Sequence, residues 1–98
     1  MIVVRDVFQL EFGKAKEAIA LLRQGQQHLN RGGYAVSRLL ADVTGDYYTL
    51  VMESTFDSLS AYESAVEAST TNQEWKETYA RFVPLVRTGR REIFRSVG

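Results

Sequence analysis

Hydrophobic and polar residues alternate along residues 2–12, which is the pattern of a β-strand with two unlike faces. The apolar parity consists of Ile2, Val4, Asp6, Phe8, Leu10 and Phe12. The mixed parity consists of Val3, Arg5, Val7, Gln9 and Glu11. We therefore expect the first face to pack against a core and the second to lie in a more polar environment.

A helix is predicted over residues 14–30, after Gly13 interrupts the alternation. Its inner stripe recurs at helical spacing and comprises Ala15, Ala18, Ile19, Leu22, Gln26 and Leu29. Gly25 falls within this helix, where glycine costs about 1 kcal/mol relative to alanine. The pair Gly32-Gly33 provides a suitable end for the helix.

Two further strands are predicted over residues 34–43 and 47–56, joined by a tight turn at residues 44–46. The mixed parity of the first comprises Tyr34, Val36, Arg38, Leu40 and Asp42. The apolar parity of the second comprises Tyr48, Leu50, Met52 and Phe56, and its mixed parity comprises Tyr47, Thr49, Val51 and Glu53.

The remaining residues predict two helices and a last strand. A short helix begins at Asp57 or Ser58 and runs to about residue 69. Thr71 and Glu74 have the spacing of a capping box and open a second helix, which Pro84 ends. One side of that helix carries Trp75, Tyr79, Phe82 and Val83. The last strand is predicted over residues 90–97.

The order βαββααβ predicts a single ferredoxin-like α+β domain over residues 1–98, with a four-stranded antiparallel sheet and helices on one face. The opposite face would carry Val3, Val7, Val36, Leu40 and Val51. Because a continuous apolar patch is unfavourable in water, we expect a second copy of the chain to cover it in a symmetric homodimer. The alternative is a monomer whose sheet face meets solvent.

Composition excludes several kinds of site. The chain has no cysteine and one histidine, His28, which excludes thiolate chemistry and a multi-histidine metal site within one chain. Twelve Lys and Arg balance twelve Asp and Glu, so nucleic-acid binding is not favoured. Since neither a long apolar run nor a signal-peptide pattern is present, we expect a cytoplasmic protein without membrane contact.

Three segments carry a resemblance to a known superfamily: FQLEFGK at residues 8–14, YTLVMES at 48–54 and GRREIF at 89–94. With them the chain resembles the dimeric α+β barrel superfamily, and within it the NIPSNAP-like and antibiotic-biosynthesis-monooxygenase-like small domains. The resemblance implies a homodimer with a cavity in each protomer, between the sheet and the helices or at the barrel mouth. It does not imply one function, because members include cofactor-free monooxygenases, haem-degrading enzymes and isomerases.

The residues disfavour haem degradation, because the helix at residues 72–83 offers no histidine as an axial ligand. We therefore expect no cofactor. Cofactor-free oxygenation requires deprotonation, a dry pocket and oxyanion stabilisation, for which the resemblance implies Asn, Trp, Tyr and Arg side chains. The candidates of these types are Asn72, Trp75, Tyr79 and Arg91. Asn72 also fits a helix cap, and Trp75 with Tyr79 also fits core packing.

Three functional hypotheses follow. The first is a binding protein for a small aromatic or amphipathic metabolite, in a pocket lined by Arg5, Arg38, Tyr47, Glu53, Trp75 and Tyr79. The second is a cofactor-independent monooxygenase acting on a phenolic or quinol-like substrate, and the third is a purely structural dimer. Arg5 and Glu53 have a plainer interpretation as a structural ion pair, because they lie on strands expected to be neighbours.

Overall fold

A computed structural model describes all 98 residues and has an antiparallel four-stranded sheet. The strands are β1 (Ile2–Leu10), β2 (Val36–Ala41), β3 (Thr49–Phe56) and β4 (Val86–Arg95), in the order β2-β3-β1-β4. The helices are α1 (Ala15–Arg31), α2 (Leu59–Ser69) and α3 (Gln73–Phe82), and a 3₁₀ turn at Val83–Leu85 leads into β4. The predicted ferredoxin-like α+β fold is confirmed.

The hydrophobic core lies between the sheet and the helices. From the sheet it receives Val4, Leu50 and Met52, and from the helices it receives Leu22, Leu29, Tyr62 and Phe82. Phe8 meets Phe82 edge to face, with ring centroids 5.0 Å apart. The apolar stripes predicted for β1 and α1 therefore face one another, and the molecule is a slab of 36 × 34 × 18 Å.

Several boundaries differ from the prediction: β1 ends at Leu10, which leaves Phe12 exposed, and β2 and β3 are shorter than the predicted ranges 34–43 and 47–56. β4 begins at Val86 because Gly89 pairs opposite Phe8 within the sheet instead of preceding the strand. A Cβ atom at Gly89 would lie 3.1 Å from the carbonyl oxygen of Val7, so glycine suits this close approach. The predicted capping box is wrong: the Thr71 hydroxyl donates to the carbonyl of Ala68, and Asn72 caps α3 instead.

A β-bulge in β2 corrects the predicted face of two residues. Val36 pairs with Ser54 whereas Arg38 pairs with Glu53, so the register shifts between them. An extra residue in one strand turns the preceding side chains to the opposite face. Val36 is consequently buried in the core, as is Tyr34, and neither belongs to the mixed face where the sequence pattern had assigned them.

The other surface of the sheet is not covered by any helix. We call it the open face. It comprises Val3, Arg5, Val7, Gln9, Arg38, Leu40, Thr49, Val51, Glu53, Thr55, Thr88, Arg90, Glu92 and Phe94. Leu40 is 39% exposed and Phe94 is 47% exposed, so apolar area on this face meets solvent in the single chain.

Candidate functional site

A cavity of about 220 Å³ lies between the sheet and the helices α2 and α3. We call it the internal cavity. Its apolar lining consists of Phe8, Leu29, Tyr34, Met52, Val66, Trp75 and Tyr79. Its polar lining consists of Asp6, Ser69 and Arg91. A mostly apolar concavity with a few converging polar groups is the usual form of a small-molecule site.

The aromatic wall of the internal cavity comes from α3. Trp75 and Tyr79 are one helical turn apart, and their ring centroids are 5.1 Å apart at an interplanar angle of 33°. Gly25 of α1 lies against the indole, because a Cβ atom there would be 2.7 Å from Cζ3 of Trp75. The glycine in the middle of α1 therefore gives the tryptophan the space in which it packs.

The polar wall is a carboxylate–guanidinium pair formed across two strands. Asp6 on β1 lies opposite Arg91 on β4, and Nε of Arg91 donates to Oδ1 of Asp6 over 2.5 Å. The Asp6 side chain is 6% exposed, whereas that of Arg91 is 55% exposed. Burial opposes the charge of Arg91, but the hydrogen bond and the negative charge of Asp6 outweigh it and raise the pKa of the guanidinium.

Two hydroxyl groups lie on the same side of the sheet. Burial, and next to it the negative charge of Asp6, raise the pKa of Tyr34 well above its ordinary value, so this phenol keeps its proton. The hydroxyl of Ser54 is buried and interacts with the Tyr34 phenol, which opposes part of this rise in pKa, whereas Oδ2 of Asp6 is buried and has no hydrogen-bond partner in the protein. Unpaired buried polar atoms are rare in folded proteins.

A second charged cluster lies on the open face. Nε of Arg5 donates to Oε2 of Glu53 over 2.9 Å, and Nε of Arg38 donates to Oε1 over 2.7 Å. The hydrogen bond from Arg38 contributes most to lowering the pKa of Glu53, with Arg5 assisting, against the opposing effect of burial. The predicted pairing of Arg5 with Glu53 is confirmed, and Arg5 also stacks over Phe94, 5.3 Å from its ring centroid.

The residues predicted to line one ligand pocket fall into separate places. Arg5, Arg38 and Glu53 belong to the open face, whereas Trp75 and Tyr79 line the internal cavity on the other side of the sheet. Tyr47 lies in the loop after β2, where it is 72% exposed and contacts Phe12. These six residues therefore do not line one cavity within a single chain.

The candidate catalytic residues are divided as well. Trp75, Tyr79 and Arg91 line the internal cavity. Asn72 does not, because its Oδ1 accepts from the backbone nitrogen of Trp75 over 3.1 Å and its Nδ2 donates to the carbonyl of His28 over 3.0 Å. It thus joins the start of α3 to the end of α1. Catalytic roles for these residues stay predictions.

Sequence reasoning did not single out Asp6 or Tyr34. Asp6 is the one charged residue in the apolar parity of β1, and that anomaly was the available signal. Tyr34 was assigned to the wrong face because the bulge at β2 leaves no mark in the pattern.

The structure shows neither a group of side chains that could hold a metal ion nor a helix that could cross a membrane. No three His, Asp or Glu side chains come together in an arrangement that could hold a metal ion. The single histidine, His28, lies near Glu74 and Arg31 between α1 and α3. None of the helices combines the length and apolar character required to cross a bilayer.

A family model decides the affiliation of the chain. The NIPSNAP model matches residues 5–98. The chain belongs to the NIPSNAP family. No curated protein matches it. The predicted resemblance to NIPSNAP-like and antibiotic-biosynthesis-monooxygenase-like domains is confirmed by this match and by the solved structures that share the fold.

Three solved structures illustrate how far the NIPSNAP fold of this chain is shared. A NIPSNAP domain protein from Burkholderia xenovorans has a TM-score of 0.90 at 15% identity, covering 99% of this chain and 95% of that one. A NIPSNAP family protein from Agrobacterium tumefaciens has a TM-score of 0.90 at 16% identity, covering 98% and 92%. SnoaB, a cofactor-independent oxygenase from Streptomyces nogalater, has a TM-score of 0.73 at 14% identity, covering 97% and 91%. At these identities the likeness concerns the fold.

Proposed function

We propose that this NIPSNAP protein binds a small aromatic or amphipathic metabolite in the internal cavity. The observation that carries the proposal is the buried carboxylate of Asp6, paired with the half-exposed Arg91, in an otherwise mostly apolar cavity. Replacing a buried ion pair by well-packed apolar residues is often neutral or stabilising, so the fold alone gives little reason for one here. A ligand with both apolar and polar parts accounts for both kinds of lining.

The size of the internal cavity limits the ligand. An apolar cavity of about 150 Å³ is large enough to hold benzene. A volume of about 220 Å³ therefore suits one substituted ring better than a polycyclic molecule. Trp75 and Tyr79 offer the aromatic faces against which such a ring would pack.

Thermal unfolding with a panel of single-ring and two-ring aromatic compounds tests this proposal. A ligand at about 100 times its Kd stabilises the folded state by about 2.7 kcal/mol, which for a chain of this size raises Tm by about 10 °C or more. Trp75→Leu should abolish the shift, while Tyr47→Leu, which removes an exposed aromatic residue outside the cavity, should preserve it. If no compound of the panel raises the Tm of the wild type or of Tyr47→Leu, the proposal is contradicted and a purely structural role is favoured.

The second part of the proposal is a homodimer formed through the open face. Val51 lies near the middle of this face, between Val7 and Leu40 on the adjacent strands. Covering such apolar area is favourable at about 25 cal/mol per Å², and a sheet face is readily covered by its own copy. In the dimer the second copy would cover Glu53. Its ion pairs with Arg5 and Arg38 would remain within the interface, so the carboxylate would not be left unpaired.

Light scattering at micromolar concentration tests the dimer. The wild type should run at twice the mass of one chain, and Val51→Arg should run as a monomer because it adds an unpaired charge to the interface. Glu63→Arg, on the exposed surface of α2, is the matched control and should remain a dimer. A monomeric wild type would overturn this part without affecting the cavity, which a single chain forms by itself.

A cofactor-independent monooxygenase is the second candidate, and the shared fold of SnoaB favours it. A phenol deprotonated in the internal cavity would reduce O₂, taking up one oxygen atom to become a quinone while the other leaves as water. Arg91 would stabilise the oxyanion, with Trp75 and Tyr79 holding the ring. Oxygen consumption with single-ring phenols, abolished in Trp75→Ala and reduced in Tyr79→Phe, would support the enzyme. No consumption by wild type would exclude it for these substrates.

A further inference from the structure

Asp6 presents one oxygen that the protein leaves unused. Oδ1 accepts the hydrogen bond from Arg91, while Oδ2 is buried and accepts none from any protein group. The whole side chain is 6% exposed and belongs to the lining of the internal cavity. A buried acceptor without a donor costs free energy, so a ligand donor that reached Oδ2, with the small side-chain shift that its burial requires, would stabilise the folded protein.

Packing alone gives no reason for a carboxylate at this position. Asp6 lies on the core side of β1, between Val4 and Phe8, where an apolar side chain would continue the pattern. Its partner Arg91 does not depend on it for solvation, because the Arg91 side chain is 55% exposed. The carboxylate is therefore better explained by what it can bind than by packing.

Charge around the internal cavity restricts the ligand further. Asp6 and Arg91 balance one another, and Tyr34 is held in its neutral form. An anion would face the carboxylate of Asp6, and a cation would compete with the guanidinium of Arg91. An uncharged ligand avoids both costs, since removing a charge from water without a partner is strongly unfavourable.

Resting on the proposed function, we propose that Oδ2 of Asp6 accepts a hydrogen bond from the bound ligand and selects uncharged single-ring aromatics that carry a hydroxyl or amino group. The donor of the ligand points at the carboxylate, and its ring packs against Trp75 and Tyr79. Asp6 is thus a specificity-determining residue: it distinguishes phenols and anilines from hydrocarbons of the same shape.

Calorimetric titration with two probes of nearly equal shape tests the inference. The probes are 4-methylphenol, which has a donor, and 1,4-dimethylbenzene, in which a methyl group replaces the hydroxyl. The measured quantity is the ratio of their Kd values in wild type and in Asp6→Leu, which keeps the branching at Cγ but replaces both carboxylate oxygens by methyl groups. Since hydrogen bonds to charged groups are among the stronger ones, we expect the preference for 4-methylphenol to fall at least tenfold in the variant.

Two additional measurements complete the test. Asp6→Asn places an amide nitrogen at the position of Oδ2, so it should also lower the preference for 4-methylphenol. It replaces Asp6→Leu in the test if that variant does not fold. The anionic probe 4-methylbenzoate should bind wild type at least tenfold more weakly than 4-methylphenol, because it brings a second carboxylate to Asp6.

The outcomes separate this inference from the proposed function. A preference that falls in both variants supports the role of Asp6. If both probes bind wild type and Trp75→Leu abolishes their binding, but the preference is unchanged in the Asp6 variants, the inference is overturned while the cavity site stands. If neither probe nor any other small aromatic compound binds wild type, both are overturned.

Discussion

Trp75 packs so closely on Gly25 that a Cβ atom at position 25 would lie 2.7 Å from Cζ3 of the indole. Glycine inside a helix is ordinarily unfavourable. Here its lack of a side chain lets α1 and α3 approach and fixes the ring that forms one wall of the internal cavity. The helix propensity lost in α1 is thus linked to the shape of the site.

Gly25→Ala should therefore destabilise the protein, although alanine is the better helix former. The helical gain is at most about 1 kcal/mol, whereas forcing a methyl group into a packed contact typically costs about 1–3 kcal/mol. Urea denaturation gives the free energy of unfolding of each variant. In the background of Trp75→Leu, whose smaller side chain frees the space, the same substitution should become stabilising. An equal effect in both backgrounds would mean that the contact does not set the stability at position 25.

Asn72 should contribute to stability through two separate hydrogen bonds. Asn72→Ala removes the cap of α3 and the bond to the carbonyl of His28, and should lower the free energy of unfolding by about 1–2 kcal/mol. Asn72→Asp keeps a capping oxygen but loses the amide donor, so its effect should be smaller. Thr71→Ala should change stability by less than either, because the structure gives Thr71 no capping role. Equal losses for Thr71→Ala and Asn72→Ala would refute this assignment.

Acidification should weaken the cluster around Glu53. The pKa of Glu53 is lower in the folded protein than its ordinary value of 4.5, so its contribution is present above that value and disappears as the pH falls below it. Glu53→Gln should lower the free energy of unfolding at pH 7 by about 1–3 kcal/mol. The difference between wild type and Glu53→Gln should shrink as the pH falls from 7 to below 4.5, whereas Glu63→Gln on the exposed surface of α2 should follow the wild type throughout. A difference that is constant across this range would contradict the linkage.

The parts of the fold that depend on local pattern could be predicted, and the bulge could not. Alternation in β1 assigns Val4 and Arg5 to their correct faces because nothing interrupts the pleat there. In β2 the same reasoning fails at Tyr34 and Val36. The register shift before Arg38 is set by pairing with β3, and the residues of β2 alone do not specify it.

The two charged clusters differ in whether the sequence could predict them, and the reason is again strand register. Arg5 and Glu53 could be paired from the sequence, because ferredoxin-like order makes their strands neighbours. Asp6 and Arg91 are 85 residues apart, and their contact depends on the register of β1 against β4. In this pairing β4 begins at Val86, four residues before its predicted start, and the register shifts between Gln9 and Leu10. The polar wall of the site therefore emerges only when the strands are placed side by side.

The Asp6–Arg91 pair should respond unequally to the loss of each partner. Arg91→Leu leaves a carboxylate that is 6% exposed without a cation, whereas Asp6→Leu leaves a guanidinium that is 55% exposed and can be hydrated. Removing the partner of a buried charge costs about 3–5 kcal/mol, so Arg91→Leu should approach that range and Asp6→Leu should lose less. The double variant Asp6→Leu with Arg91→Leu should be more stable than Arg91→Leu alone, because it leaves no buried charge.

Urea denaturation of the four proteins at pH 7 gives this double-mutant cycle directly. A double variant close to wild type in stability would show that the pair is dispensable for folding, as expected if its purpose is to receive a ligand. A double variant less stable than Arg91→Leu would instead make the pair part of the structural core, and packing, not ligand recognition, would then account for Asp6.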